Sequence, residues 1–355
     1  MSLIPATILT GFLGAGKTTL LKRILTEAHG QKIAVIENEF GEENIDSDIL
    51  VSDTSEQIIQ MSNGCICCTI REDLRVTLQD LAEKKRKGEL SFDRVVIETT
   101  GLADPGPVAQ TFFMDDEIAE SYLLDSILTL VDAKHAPTQL NERQEARRQV
   151  GFADQIFISK SELVSEDALE ALKHRLKHMN PRAPQKTVHF GEVAIKDVFD
   201  LRGFNLNAKL DIDPDFLKAD DHDHDHGHDH AHHHHADGEA CDHPSHKHAH
   251  GHHHHTDDDV KSFVFKSDRP FDPAKLEDFL GAIVNIYGPR MLRYKGVLYM
   301  QGTDRKVIFQ GVHQLMGSDL GPAWGPEEHK SSKMVFIGID LPKDILLQGM
   351  EQALV

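Results

Sequence analysis

Two short stretches carry most of the chemistry legible in this chain. The first is Gly11-Phe12-Leu13-Gly14-Ala15-Gly16-Lys17-Thr18. Glycines at Gly11, Gly14 and Gly16 let consecutive backbone N–H groups turn inward around phosphate, Lys17 reaches the β and γ phosphates, and the Thr18 hydroxyl ligates Mg²⁺. Ala15 and Thr19 belong to the same cradle, and the helix that follows turns its positive end toward the anion. The pattern predicts a nucleoside triphosphate site. The second stretch, Gly64-Cys65-Ile66-Cys67-Cys68, packs three thiols into four positions. They cannot all face one way on a strand, but in a loop their sulfurs converge on one ion, and thiolates favour Zn²⁺ or Cu⁺ over Mg²⁺. Tetrahedral zinc needs a fourth ligand, for which Glu37 and Glu42 are candidates. Metal-free buried or redox cysteines are the alternative.

Further polar residues follow apolar runs. Glu98 ends the run Arg94 to Ile97, where a carboxylate can hold magnesium directly or through water. Gly101 just beyond can offer its backbone N–H to a γ phosphate, with Glu39 and Asp104 in flanking loops. Lys17, Thr18, Glu98 and Gly101 are therefore the expected catalytic set, in which lysine and magnesium stabilise charge while another group positions water. No residue stands out as the base. Base selection is expected from Ser159-Lys160-Ser161-Glu162 after a late strand: with Lys160 beside it, the Glu162 carboxylate can accept two N–H bonds from guanine, favouring GTP over ATP.

The elements that position these residues follow from periodicity. Ala6 to Thr10 reads as a strand and Thr19 to Ala28 as a helix, with further strands at Ile33 to Ile36, Arg94 to Ile97, Ser126 to Val131 and Gln155 to Ile158. Apolar runs alternating with amphipathic helices predict an α/β domain with a mostly parallel sheet, whose ligands bind beyond the strand carboxyl ends. After the insertion, Ser262 to Phe265, Gly296 to Met300, Lys306 to Phe309 and Met334 to Ile339 read as strands and Pro273 to Ile286 as a helix, a smaller α+β domain. The expected division is 1–210, a flexible linker at 211–260, and 261–355.

That linker is compositionally distinct: 17 of the 24 histidines lie between Asp220 and Asp259. Such a segment cannot build an apolar core and is expected to be disordered. His222, His224, His226, His228 and His230 alternate with other residues, while His232, His233, His234 and His235, and later His252, His253, His254 and His255, form unbroken runs. Imidazoles bind borderline metals, so the segment reads as a metal reservoir or capture arm, with a plain solvated linker as the alternative.

The net charge of −20 argues against a nucleic-acid partner. No run of about 18 apolar residues suggests a membrane span. Four cysteines, three of them clustered, favour reduced thiols in a cytoplasmic protein. Near the C-terminus, Arg290, Arg293, Tyr294 and Lys295 form a basic and aromatic patch that fits either a client or a bridge to the first domain. Trp324 is expected in a loop from Gly317 to Pro326, and His313 and His329 read as packed or surface residues.

The chain resembles the CobW-like family of metal-handling P-loop GTPases, specifically its metallochaperone members. The resemblance rests on Gly11 to Thr18, Glu37-Asn38-Glu39-Phe40-Gly41, Cys65-Ile66-Cys67-Cys68 and Glu98-Thr99-Thr100-Gly101-Leu102-Ala103-Asp104-Pro105. It implies a P-loop GTPase domain joined to a CobW-type C-terminal domain, GTP/GDP and Mg²⁺, slow intrinsic hydrolysis, and Zn²⁺ (or Co²⁺ or Ni²⁺) at the cysteines. It also implies delivery to a client metalloprotein and leaves room for nucleotide- or metal-dependent self-association. Ser159 and Glu162 depart from the family's usual guanine motif but keep its lysine and carboxylate. Two other functions fit the same residues: a histidine-rich metal store and a metal-sensing GTPase switch.

Overall fold

A computed structural model describes residues 3–26, 30–38, 58–61, 69–204 and 258–355. Its first sheet has seven strands: β1 (Ile4–Gly11), β2 (Ile33–Asn38), β3 (Ile58–Met61), β4 (Arg94–Glu98), β5 (Tyr122–Asp132), β6 (Gln155–Ser159) and β7 (Gln185–Val188). They lie in the order β3-β2-β4-β1-β5-β6-β7, and every pair is parallel. Strands of a parallel sheet are covered on both faces, which is why β1, β4 and β6 are near-continuous apolar runs rather than alternating ones. On one face Leu20, Leu21 and Ile24 of helix α1 (Lys17–Thr26) pack against Leu9, Val35 and Val96. The opposite core gathers Ile8, Ile97 and Ile127 with residues of α2 (Thr69–Lys87), α3 (Pro105–Met114), α6 (Gln144–Phe152) and α7 (Glu166–Met179). Short helices α4 (Asp116–Ser121) and α5 (Ala136–Glu142) complete this layer. The chain progresses in opposite directions along the sheet from β1, so the crevice at the carboxyl ends of β1, β4 and β5 is where such sheets take ligands.

The second sheet is antiparallel, in the order β11-β10-β9-β12-β8, from β8 (Val260–Ser267), β9 (Met291–Leu298), β10 (Arg305–Val312), β11 (Leu315–Ala323) and β12 (Ser332–Ile339). One face carries Phe263, Tyr294, Phe309 and Phe336 against α8 (Pro273–Tyr287) and α9 (Lys343–Gln352). Asp272 starts α8 sharply, its carboxylate accepting from the backbone N–H groups of Ala274 and Lys275. The other face contributes Val260, Leu292, Val335 and Ile337 to the core of the first sheet beside Val150 and Phe152. The two sheets thus share a core.

Several boundaries differ from the sequence reading. Helix α1 starts at Lys17, two residues earlier, because the phosphate loop feeds it directly. Strand β9 starts at Met291, so the basic patch is divided by the alternation of a strand. Tyr294 faces Phe309 and Phe336, while Arg293 and Lys295 face the first domain and pair with Asp154 at 2.8 and 3.2 Å. The bridge, not a free patch, is what the fold makes of them, and Arg290 is spent on the Ile339 carbonyl. The stretch expected as a loop around Trp324 is mostly β11. Its Gly317, Gly321 and Pro322 disguise a strand that pairs on one side only, where proline is tolerated. Trp324 packs against Val297. Strands β3 and β7, too short to stand out by periodicity, were also not anticipated. His313 is buried and His329 is exposed beside Asp268. Most of the expected flexible linker, with all of its histidines, and Glu39, Glu42, Cys65, Cys67 and Cys68 lie outside the described residues, but the end of that linker is described and is not free: Asp258 pairs with Arg175 at 2.6 Å, Asp259 accepts from Arg147, and Val260 starts β8. Among the described residues no helix is long and apolar enough to cross a membrane.

Candidate nucleotide-phosphate site

Strand β1 delivers the glycine loop to the sheet's carboxyl edge. Gly11, at φ 145°, passes so close to β5 that a Cβ would lie 2.5 Å from the Leu130 carbonyl oxygen, so only glycine fits. Gly14 and Gly16 adopt φ 74° and 100°, which turns the loop back into α1. Lys17, the first residue of α1, is largely buried and its Nζ donates to the carbonyls of Gly11 at 2.9 Å and Phe12 at 3.3 Å. Burial pulls its pKa down, opposed by the charge of Glu98.

Glu98 arrives from β4, in register with Leu9 of β1. Its Oε1 accepts a hydrogen bond of 3.1 Å from the Thr18 hydroxyl. A hydroxyl and a carboxylate meeting beside a phosphate loop form the donor set Mg²⁺ prefers, one or two protein oxygens plus phosphate and water. Thr18 and Glu98 would hold that ion, whose positive charge would be shared with the phosphate oxygens. Below them the Thr99 hydroxyl donates to Thr10 at 2.8 Å and the Thr99 N–H to the Leu9 carbonyl at 3.0 Å. Gly101 then presses on the loop itself, since a Cβ there would lie 2.6 Å from the Leu13 nitrogen. Glu37, also nearly buried, sits on β2 directly beside Glu98 in the parallel register. Among the described residues no cluster of three or more His, Cys, Asp or Glu forms a metal site.

The Ser159–Glu162 segment, expected to read the base, closes the other side. Lys160 takes the left-handed conformation, φ 56°, and its Nζ donates to the Gly14 carbonyl at 2.8 Å and to Asp132 Oδ2 at 2.7 Å. The Ser159 hydroxyl donates to the Ala15 carbonyl at 2.7 Å. Glu162, half-exposed, lies 3.1 Å from His189 Nδ1 in the turn after β7, next to the highly exposed Phe190. Ala15 is buried, and Thr19 lies within α1.

Asp132 and His189 were missed by sequence reasoning. The available signal for Asp132 was an acid at the carboxyl end of an apolar strand, one residue past the expected boundary. Burial alone would push the Asp132 carboxyl up, but the hydrogen bonds from Lys160 and His135 and the charge of Lys160 outweigh it and hold it below the usual carboxylate range. It is therefore the fixed anion that holds Lys160 across the phosphate loop. Asp132→Asn is expected to weaken GDP binding about tenfold, the smaller end of what a hydrogen bond to a charged group is worth. Titration with a fluorescent GDP analogue checks this, and unchanged affinity would remove Asp132 from the site.

Comparison with known proteins agrees with this geometry. The CobW/HypB/UreG nucleotide-binding domain matches residues 5–187, and the cobalamin synthesis protein cobW C-terminal domain matches residues 260–354. The chain is 40% identical over 344 residues to the zinc chaperone YjiA of Escherichia coli, covering 97% of this chain and 96% of that protein. It is 31% identical to the zinc chaperone CobW of Pseudomonas aeruginosa, covering 99% of this chain and 92% of the relative. Among solved structures, the Zn(II)-bound YjiA GTPase from E. coli superposes with a TM-score of 0.73 at 35% identity, covering 99% of both chains. With the phosphate loop, the seven-stranded parallel sheet and the second sheet all accounted for, the chain belongs to the CobW/HypB/UreG family of nucleotide-binding proteins and carries the CobW C-terminal domain.

Proposed function

We propose that this protein is a GTP-hydrolysing metallochaperone that couples nucleotide state to the binding and delivery of zinc. The observation that carries the reading is the register of β2 against β4, which sets Glu37 beside Glu98. One carboxylate belongs to the phosphate and magnesium side, the other is the expected partner of the cysteines, and they occupy neighbouring strands. Strand β3, which pairs with β2 and ends at residue 61, leads the chain toward the cysteines, and α2 resumes at residue 69.

In this reading Lys17 binds and neutralises the β and γ phosphates, the Gly14 to Thr18 amides orient them, and Thr18 and Glu98 hold Mg²⁺. Gly101 registers the γ phosphate. Lys160 braces the phosphate loop and Glu162 reads guanine. Loss of the phosphate shifts the β2 end, and a shift in Glu37 changes the zinc geometry on which affinity depends. The histidine runs act as weak, numerous ligands that accumulate metal, whereas three thiols and one carboxylate are the specific site. The acceptor is a client metalloprotein, and a reducing cytoplasm keeps the thiols available.

The test is zinc affinity on the full chain with GDP and with a nonhydrolysable GTP analogue, repeated after Cys65, Cys67 and Cys68 are changed to serine. A difference of about tenfold between nucleotides, within the usual range for coupled sites, that vanishes in the serine variant is expected. Equal affinities in both nucleotide states would leave a metal store rather than a chaperone.

A further inference from the structure

Helix α6 is fastened on three sides. On one stripe, four residues apart, Arg147 Nη2 donates to Asp259 Oδ2 at 3.1 Å and Gly151 fits under the second sheet, where a Cβ would lie 2.6 Å from Leu292 Cδ1. On the next stripe Arg148 Nη1 donates to Asp104 Oδ2 at 2.6 Å, and the Phe152 ring meets the His313 ring edge-on at 5.2 Å between centroids. Between them the buried Gln149 donates through Nε2 to the Gly101 carbonyl at 3.2 Å and the Ala103 carbonyl at 3.0 Å. Gly101 is the residue at which the γ phosphate is expected to register.

His313 belongs to the turn between β10 and β11 of the second sheet, where it adopts φ 52°. Its N–H donates to the Met291 carbonyl at 3.0 Å, which ties it to β9. Its ring presses on the first turn of α3, where a Cβ on Gly106 would lie 2.5 Å from Nε2. Asp104 Oδ1 accepts from the Gly106 N–H at 2.9 Å, so the 101–104 loop and the turn under His313 are one unit. Burial holds His313 below its ordinary range, helped by Arg148 and opposed by Asp104 and the carbonyls of Gly288 and Pro289, which favours the neutral ring. A neutral ring is compatible with the positive end of α3.

We infer that the C-terminal sheet positions the hydrolytic loop 101–104 through α6 and α3, with Gln149 and His313 as the positioning residues. Movement of the 101–104 loop has to break the bonds of the Gly101 and Ala103 carbonyls to Gln149 or carry α6 with it, and α6 carries the second sheet. The coupling is reciprocal: what loosens the sheet loosens the loop. The part concerning turnover rests on the GTPase reading above; the part concerning the loop does not.

The test uses the full chain, unmodified and as His313→Ala and His313→Gln. Amide exchange across residues 101–104 with GDP bound is expected to speed up about tenfold in the alanine variant, near the low end of typical coupling between linked sites. kcat for GTP should fall by a similar factor, while KM and GDP affinity stay within about twofold and His313→Gln restores most of the loss. Unchanged exchange in the loop overturns the inference, as does a fall in GDP affinity that accompanies kcat in step. Absence of hydrolysis in the unmodified chain would instead overturn the GTPase reading, leaving the exchange result to decide the coupling.

Discussion

Lys17→Ala is expected to lower GTP turnover by at least about a hundredfold, the range in which a single preorganised charge donor acts. Lys17 Nζ is held by two carbonyls of the same loop, inside the curve that the glycines create, and is nearly buried. Its burial means that the charge is presented with little water to screen it, and Glu98 is close enough to favour the protonated form. A phosphoryl group in flight carries spreading negative charge, so a fixed cation contributes more there than in the bound triphosphate. The measurement is kcat with saturating GTP and magnesium, together with GDP affinity. A turnover within tenfold of the unmodified chain would show that charge stabilisation comes from elsewhere.

Asp154→Ala is expected to cost about 3–5 kcal/mol, the range for removing one partner from a buried ion pair. Asp154 is 5% exposed and receives Arg293 at 2.8 Å, Lys295 at 3.2 Å and the Ile127 N–H at 3.0 Å. Both cations lie over the Phe204 ring, at 4.2 and 5.4 Å, and both also donate to carbonyls of the first domain, Arg293 to Phe152 and Lys295 to Gly203. Without the carboxylate two buried charges lose their shared counter-ion, one on each of two positions of β9. The loss should appear as a lower denaturant midpoint and as separation of the two sheets in the unfolding profile. A change below about 1 kcal/mol, the scale of an exposed pair, would mean that water or another group compensates.

Much of the phosphate site was legible because its geometry is local. Glycine positions, a lysine and a threonine within eight residues define the turn whatever surrounds it, and the flanking apolar run and amphipathic helix give it strand and helix neighbours. Glu98 was legible for a related reason, as an acid at the end of a buried run. The second domain was legible as a class but not in detail: Arg293 and Lys295 were recognised as a cluster, yet their role depended on which face of β9 they occupied, and β11 was hidden by the glycines and proline that an edge strand tolerates.

Composition and spacing by themselves determined that this chain has a phosphate loop, a thiol cluster, a histidine-rich segment and two regions of alternating structure, because each is a property of neighbours in sequence. Only the tertiary structure decided that Asp132 braces Lys160, that Glu37 stands beside Glu98, that Asp154 anchors the second sheet, and that Gln149 holds the Gly101 and Ala103 carbonyls while His313 packs on Gly106. Those contacts join residues up to 207 positions apart, as between Gly106 and His313. Strand order and the shared core create them, and no local periodicity records which distant carboxylate, amide or imidazole a chain folded this way will bring together.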